Sequence, residues 1–202
     1  MNIGTSLYAL GRMLLQLLLV GYVLAFIFTA HHSGIILLVL GVMLVAASWI
    51  ALHPVKQRRR FLYLKALAAI AVAGVPILAL VTQLILRLEP WFLPRYVVPL
   101  AGMIFASSMT AVSLAAERFE AERARGVDYT DARATALQAA LIPIVNSLFA
   151  VGLVSLPGMM TGQILSGISP LVAARYQIVV MCMIYGASGL SAALFLVLVR
   201  KS

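Results

Sequence analysis

The chain has 202 residues, of which 63% are hydrophobic and only 10% are charged, and its formal net charge is +9. A soluble domain carries about 25% charged residues, so the composition excludes an ordinary soluble protein and indicates that lipid is the main solvent. The basic residues lie in loops between apolar runs, which favours lipid headgroups over nucleic acid as their partners.

Six apolar runs are long enough to cross a bilayer, for which about 20 residues are needed. They cover residues 13–30, 34–52, 66–86, 96–116, 137–157 and 176–199. We therefore predict an all-α, polytopic membrane protein with six transmembrane helices. Residues 1–202 form a single transmembrane domain in this interpretation, without an internal repeat.

The Lys and Arg residues are distributed unevenly between the two sides of the predicted bundle. Twelve of the 15 fall at the two termini and in the loops after spans two and four, whereas Arg87, Arg95 and Arg175 fall on the other side. Because cytoplasmic loops carry the excess of Lys and Arg, both termini are predicted to be cytoplasmic.

The longest polar segment, residues 117–136, joins spans four and five. It holds five of the six acidic residues of the chain. Gly126 is positioned to end the helix that continues from span four, and Asp128 or Thr130 is positioned to cap the next helix. The pattern predicts a helix, a turn and a short helix before span five.

The chemistry that an enzyme needs is missing from the sequence. There is no HExxH, GxSxG or Walker phosphate-binding motif, and no Asp lies within a span. We therefore expect no catalytic residue, no ATPase site and no cofactor bound by this chain. His31 and His32 supply half of a metal site at most, and an interfacial turn is the favoured interpretation of that pair.

Polar side chains inside the spans are concentrated in spans four and five. Such residues are costly in lipid and mark either a substrate pathway or hydrogen bonds between helices. Both interpretations stay open for the individual residues. The pathway candidates in these two spans are Ser107, Ser108, Thr110, Asn146 and Ser155.

The stretch "GLVSLPGMMTG" (residues 152–162) interrupts the apolar pattern. Pro157 is predicted to end span five, and Gly158 and Gly162 form a GxxxG pattern that permits close helix packing. The uncharged segment that follows is too short to span. We expect a re-entrant or broken-helix element here, which acts as an outer hinge or gate of the translocating helix.

Three further pathway candidates belong to this element, namely Met159, Met160 and Gln163. The two thioethers are possible ligands for a soft metal ion. Adjacent residues of a helix point about 100° apart, so both sulfurs reach one ion only if the backbone is irregular. Apolar packing is the favoured interpretation of the pair.

Four stretches together resemble the FetB family of ABC-transporter permeases. They are "GRMLLQLLLVGYVL" (11–24), "PLAGMIFASSMTAVSLAAERF" (99–119), "AALIPIVNSLFAVGLVSLPGMMTGQILSGISPL" (139–171) and "RYQIVVM" (175–181). Bacterial members of that family are membrane subunits proposed to export iron, and plant relatives serve in aluminium tolerance. The similarity extends from about residue 6 to the C-terminus.

The resemblance implies a multi-pass subunit of the bacterial inner membrane that exports iron or another metal ion or small solute. It implies a homodimer and a separate cytoplasmic ABC ATPase, which binds ATP and magnesium. The ATPase is expected to dock on the loop at residues 117–136. The candidate docking residues are Glu120, Glu122, Arg123, Arg125, Gly126 and Asp131.

The chain departs from this family's pattern in two places. Family members usually carry one more apolar span before the "GR…Q" segment, and their cytoplasmic loop is longer by several helical turns. These departures leave open a shortened homologue, a misassigned start codon or impaired coupling to the ATPase. Two other functions are also open: a non-transporting membrane scaffold, and an ATP-independent channel. The polar loop favours the permease, because a channel needs no docking helix.

Overall fold

The computed structural model describes residues 3–28 and 32–200. Its α-helices, in chain order, are α1 (Ile3–Phe28), α2 (Ser33–Ala51), α3 (Arg59–Ala79), α4 (Pro94–Ala124), α5 (Tyr129–Ala150), α6 (Gly158–Leu165) and α7 (Pro170–Val199). A 3₁₀ turn at Lys56–Arg58 precedes α3, and a π-helix at Leu80–Ile85 continues it. Six helices are long and apolar enough to cross a membrane. These helices confirm the all-α, six-span prediction, although residues 29–31 lie outside the described part.

Helix α4 is the centre of the bundle, since it packs against α2, α3, α5 and α7. The buried positions along these contacts are largely small. Small side chains let helix backbones approach closely, and the van der Waals packing that results helps helices to associate in lipid. The buried alanines are Ala47 and Ala51 of α2, Ala66, Ala69 and Ala73 of α3, Ala101, Ala111, Ala115 and Ala116 of α4, Ala132, Ala136 and Ala140 of α5, and Ala173, Ala187 and Ala192 of α7.

The Lys- and Arg-rich loops meet at one end of the bundle, which we call the basic end. There Arg58 forms an ion pair of 2.7 Å with Glu120 of α4. The Tyr129 hydroxyl at the start of α5 donates a 2.9 Å hydrogen bond to the carbonyl of Leu196 in α7. The Lys- and Arg-rich loops therefore lie at one end of the bundle, as the uneven charge distribution requires. Which face of the membrane the basic end occupies stays a prediction.

The fifth span ends earlier than predicted. Helix α5 stops at Ala150, and the chain turns back on itself so that the Gly152 amide donates to the Ser155 carbonyl at 3.0 Å. Gly152 has a φ of +81°, a left-handed conformation that glycine adopts without steric cost. Pro157 does not end α5; it immediately precedes α6. The prediction that Ser155 belongs to the fifth helix is wrong for the same reason.

The loop at residues 117–136 is also simpler than predicted. Helix α4 continues to Ala124, a tight turn follows, and α5 runs without interruption from Tyr129 into the fifth span. Gly126 is in the turn with a φ of +81° and ends α4, as predicted. The expected separate short helix is instead the first part of α5. We call residues 125–128 the docking turn.

The GxxxG pattern of α6 does not bring backbones together within the described chain. A Cβ atom placed on Gly158 or Gly162 would meet nothing within 4 Å. The close approach lies elsewhere: a Cβ on Gly74 of α3 would come within 2.9 Å of the Ile104 Cγ2 and 3.3 Å of the Phe105 Cε1, both in α4. Among the glycines of the described residues, Gly74 therefore makes the closest approach to a neighbouring helix.

Replacing Gly74 with alanine is expected to lower the thermal stability of the detergent-solubilised protein. The added methyl group has no room against Ile104, and overpacking a core costs about 1–3 kcal/mol. Gly41→Ala is the matched control, because a Cβ at Gly41 of α2 meets nothing within 4 Å. Equal melting temperatures for the two variants would contradict the proposed tight crossing of α3 and α4.

Candidate functional site: a polar path through the bundle and a docking turn

A cavity of about 170 Å³ lies between α4, α5 and α7 and is lined by four hydroxyl side chains. Ser107 and Thr110 come from α4, Ser147 from α5 and Ser188 from α7. Ser107 donates to the Met103 carbonyl at 2.8 Å, so its hydroxyl oxygen still has lone pairs free to accept or to ligate. Ser107 falls near the middle of the apolar run 96–116, which places this hydroxyl cavity near mid-membrane.

Two of the predicted pathway residues are not part of the hydroxyl cavity. Ser108 is fully buried, and its hydroxyl oxygen has no hydrogen-bond partner in the described structure. Asn146 is exposed on the surface of α5, beside Ser147 in sequence but outside the lining. Of the predicted residues in spans four and five, only Ser107 and Thr110 are brought together.

A second cavity, of about 250 Å³, lies towards the other end of the bundle. Met159 and Gln163 of α6 line it together with Arg95 and Tyr96 at the start of α4 and Tyr176 of α7. The Gln163 side-chain oxygen is buried without a hydrogen-bond partner in the described structure. We call this space the outer cavity, after the predicted orientation in which the basic end is cytoplasmic. Its lining contains two thioethers, one amide, two phenols and one guanidinium group among mainly apolar side chains.

Met160 lines a different space from Met159. It borders an apolar groove of about 360 Å³ together with Leu148, Met181 and Cys182. The structure therefore does not bring the two thioethers to one cavity, and their role as metal ligands stays a prediction. Among the described residues no group of three or more His, Cys, Asp or Glu side chains is placed to hold a metal ion. His31 lies outside the described residues.

The docking turn is held in shape by a carboxylate cap. Asp128 precedes α5, and its carboxylate accepts hydrogen bonds from the amide and the hydroxyl of Thr130. These bonds, the hydroxyl bond first, lower the pKa of the Asp128 carboxyl group. The cap favours the charged form of the carboxyl group. Its contribution to stability is therefore present at neutral pH and is lost as the pH falls through the lowered pKa.

The six predicted docking residues differ in their availability. Glu120 is engaged with Arg58, and Glu122 is 7% exposed and ion-paired with Arg118. These two carboxylates stabilise the end of α4 and are poorly placed to contact a partner. The other four residues are exposed at or beside the turn: Arg123, Arg125, Gly126 and Asp131.

Sequence reasoning did not identify the contribution of Arg95, Tyr176 and the π-helix to the outer cavity. These residues are far apart in the chain, and only helix packing brings them together. Gln177 is different: it is 6% exposed, and its side-chain oxygen has no partner in the described structure. An amide within the apolar run of α7 is visible in the sequence, so Gln177 could have been identified as a candidate from the sequence alone.

Comparison with known proteins gives the family directly. The model of the uncharacterised protein family UPF0014 matches residues 3–202. The UPF0014 membrane protein slr1647 of Synechocystis is 36% identical, over 93% of this chain and 78% of that protein. The Arabidopsis thaliana protein ALUMINUM SENSITIVE 3 is 36% identical, over 93% of this chain and 73% of that protein.

A third relative, the "Probable iron export permease protein FetB" of Escherichia coli, is 36% identical over 92% of this chain and 76% of that protein. No solved structure matches the chain. The six membrane-length helices agree with the names of these relatives as membrane proteins and a permease. The chain therefore belongs to the UPF0014 family of multi-pass membrane proteins.

Proposed function

We propose that the chain is the permease subunit of an ABC transporter that exports iron or another metal ion or small solute, with ATP and magnesium bound by a separate ATPase subunit. The name of the Escherichia coli relative supports iron export as the activity. The observation that carries the proposal is the docking turn, which projects from two helices that continue into the bundle. An ATPase that grips this turn moves α4 and α5 directly.

The proposed pathway combines the hydroxyl cavity and the outer cavity. Both are bordered by α4 and α7, so a solute that leaves the first reaches the second along the same pair of helices. Hydroxyl, amide and phenol oxygens bind a cation weakly and reversibly compared with carboxylates. Such weak binding suits a path that must release its cargo, and α6 with its preceding turn would form the outer gate.

A second copy of the chain is proposed to cover the exposed face of α5. Gln138, Ile142 and Asn146 follow at intervals of four residues on this face, and all are exposed. Carboxamides in hydrocarbon need hydrogen-bond partners. Since a carboxamide both donates and accepts, two copies related by a two-fold axis satisfy each other.

The turn after α5 strengthens the case for such a partner. Ser147 lies near mid-membrane beside the hydroxyl cavity, and Ala150 is less than one helical turn, about 5 Å, beyond it. The non-helical residues 151–156 therefore lie within the hydrocarbon region, where Leu153 is 89% exposed. Irregular backbone at that depth is tolerated only when protein or an aqueous cavity covers it.

The ATPase proposal predicts that reversing charge at the docking turn separates the two subunits. The double variant Arg125→Glu with Asp131→Arg is expected to weaken co-purification of the ATPase about tenfold or more, because two surface contacts become repulsive. Arg95→Glu with Arg175→Glu, at the other end of the bundle, is the control and should bind normally. Unchanged association of the docking variant, with a normal melting temperature, would argue against this docking surface.

The pathway proposal predicts a transport defect when the hydroxyl cavity becomes apolar. Inverted vesicles that contain both subunits are expected to take up Fe²⁺ only with ATP. Ser107→Ala with Thr110→Val should slow that uptake by about 30-fold, from the loss of two interactions of about 1 kcal/mol each. Ser113→Ala removes a hydroxyl of the same helix outside the cavity and should transport normally. ATP-independent uptake at full rate would instead support a channel.

The dimer proposal predicts a cross-link between two copies at the middle of α5. In a Cys182→Ser background, Ile142→Cys is expected to form a disulfide-linked dimer in membranes on mild oxidation. Leu64→Cys, which is 70% exposed on α3 and lies off this face, should not. A dimer from Leu64→Cys without one from Ile142→Cys would move the interface away from α5. The test needs no ATPase, so its outcome is independent of the docking proposal.

A further inference from the structure

At the basic end, four segments enclose a cavity of about 470 Å³, larger than the cavities described above. It lies between the turn before α3, the end of α4, the start of α5 and the end of α7. We call it the arginine pocket. Its lining consists of Arg58, Phe119, Arg123, Asp128, Tyr129, Thr130, Val199 and Arg200.

The floor of the arginine pocket is a fixed aromatic pair. The rings of Phe119 and Tyr129 meet edge to face with centroids 5.9 Å apart. The Tyr129 hydroxyl is anchored at 2.9 Å to the Leu196 carbonyl, so one aromatic cluster joins α4, α5 and α7. The pocket is therefore preformed, and a ligand would not have to order it.

Three guanidinium groups border the pocket and keep donors available. Arg58 donates to Glu120, Arg123 donates to the Val127 carbonyl at 2.9 Å, and the Arg200 guanidinium carbon lies 5.6 Å from the centroid of the Tyr129 ring. Each guanidinium has five N–H donors in a planar fork. Within the described part of the chain these contacts use only a minority of the donors, and Arg is the side chain that matches a phosphate best.

The negative charge that lines the pocket does not neutralise it. Asp128 is the lining carboxylate, and its Oδ2 atom already accepts from the Thr130 amide and hydroxyl. Arg58 is in addition paired with Glu120 outside the lining, so three guanidinium groups face two carboxylates and the pocket keeps a net positive charge. The ligand it fits is an anion with several acceptor oxygens.

The depth of the pocket identifies the class of anion. Val199 ends both α7 and the last apolar run, and Arg200 follows it directly. The pocket therefore opens at the level where the hydrocarbon gives way to headgroups, and basic pockets between helices at this level bind anionic lipids. We infer that the arginine pocket binds the phosphate headgroup of an anionic phospholipid.

Asp128 of the docking turn lines the arginine pocket, but the tip of the turn does not. Arg125 does not line the pocket, and its side chain is 71% exposed. Arg125 and Gly126, at the tip of the turn, stay available for an ATPase. Arg123 belongs both to the pocket lining and to the candidate docking residues, so the two proposals are separated by measuring lipid binding on the purified chain without an ATPase.

The test is lipid binding by the purified protein, measured by native mass spectrometry during titration with phosphatidylglycerol or phosphatidylcholine. The wild-type chain is expected to bind phosphatidylglycerol preferentially. The double variant Arg123→Gln with Arg200→Gln should bind phosphatidylglycerol at least about tenfold more weakly, since the loss of even one hydrogen bond to a charged group lowers affinity by that factor. Arg58 is kept because it also holds Glu120.

Three comparisons decide the result. Arg95→Gln with Arg175→Gln removes the same charge at the other end and should bind normally. Arg123→Lys with Arg200→Lys keeps the charge and should recover part of the affinity, which a purely structural role would not require. Melting temperatures without lipid should match the wild type for all variants.

Three outcomes would overturn the assignment. Equal loss of phosphatidylglycerol in both Gln variants would indicate general charge attraction instead of a site. Full displacement of the lipid by inorganic phosphate at equal concentration would assign the pocket to a soluble anion. Normal lipid binding by the Arg123 and Arg200 Gln variant, together with lost co-purification of the ATPase, would assign the pocket to an acidic group of that partner.

Discussion

The close approach of helix backbones along α4 is the contact on which the rest of the bundle depends. In lipid, little hydrophobic free energy is gained when an apolar side chain moves from the acyl chains into a helix interface. Packing and hydrogen bonding must therefore hold the helices together. Gly74 meets Ile104 and Phe105 without room for a methyl group, and the buried alanines continue this packing along α5 and α7. Where the helices separate slightly, the same surfaces leave the hydroxyl cavity and the outer cavity.

The two ends of the bundle have different chemistry because different groups must meet the solvent there. At the basic end, ion pairs and capping bonds fix the docking turn, and the aromatic pair of Phe119 and Tyr129 supports the arginine pocket. At the other end, α6 is short and carries no fully buried residue. The first end is thus fixed by many side-chain contacts, whereas α6 at the second end is not anchored by a buried side chain.

Much of the architecture could be predicted from the sequence, because apolar length and Lys and Arg placement are direct consequences of the bilayer. The six spans follow from apolar length, and the turn at Gly126 follows from the tendency of glycine to end a helix. The pattern leaves Asp128 and Thr130 as alternative caps, and the structure has Asp128 in that position. The end of α5 could not be predicted in the same way. Proline breaks a helix more strongly than glycine, so the sequence favours Pro157 as the end, but the chain turns at Gly152, which has a positive φ. The cavities were inaccessible to sequence reasoning, because their walls come from distant helices, and an exposed Asn146 and a buried Gln177 look alike in a linear pattern.

Pro143 divides the uninterrupted helix α5 into two arms of unequal length. Pro143 lacks a backbone donor, so the helix is most compliant there, and the same residue lines the hydroxyl cavity. The arm from Tyr129 to Pro143 is about 21 Å long and the arm from Pro143 to Ala150 about 10 Å. Bending at Pro143 by a given angle would therefore displace the docking turn about twice as far as it displaces the end of the helix at Ala150.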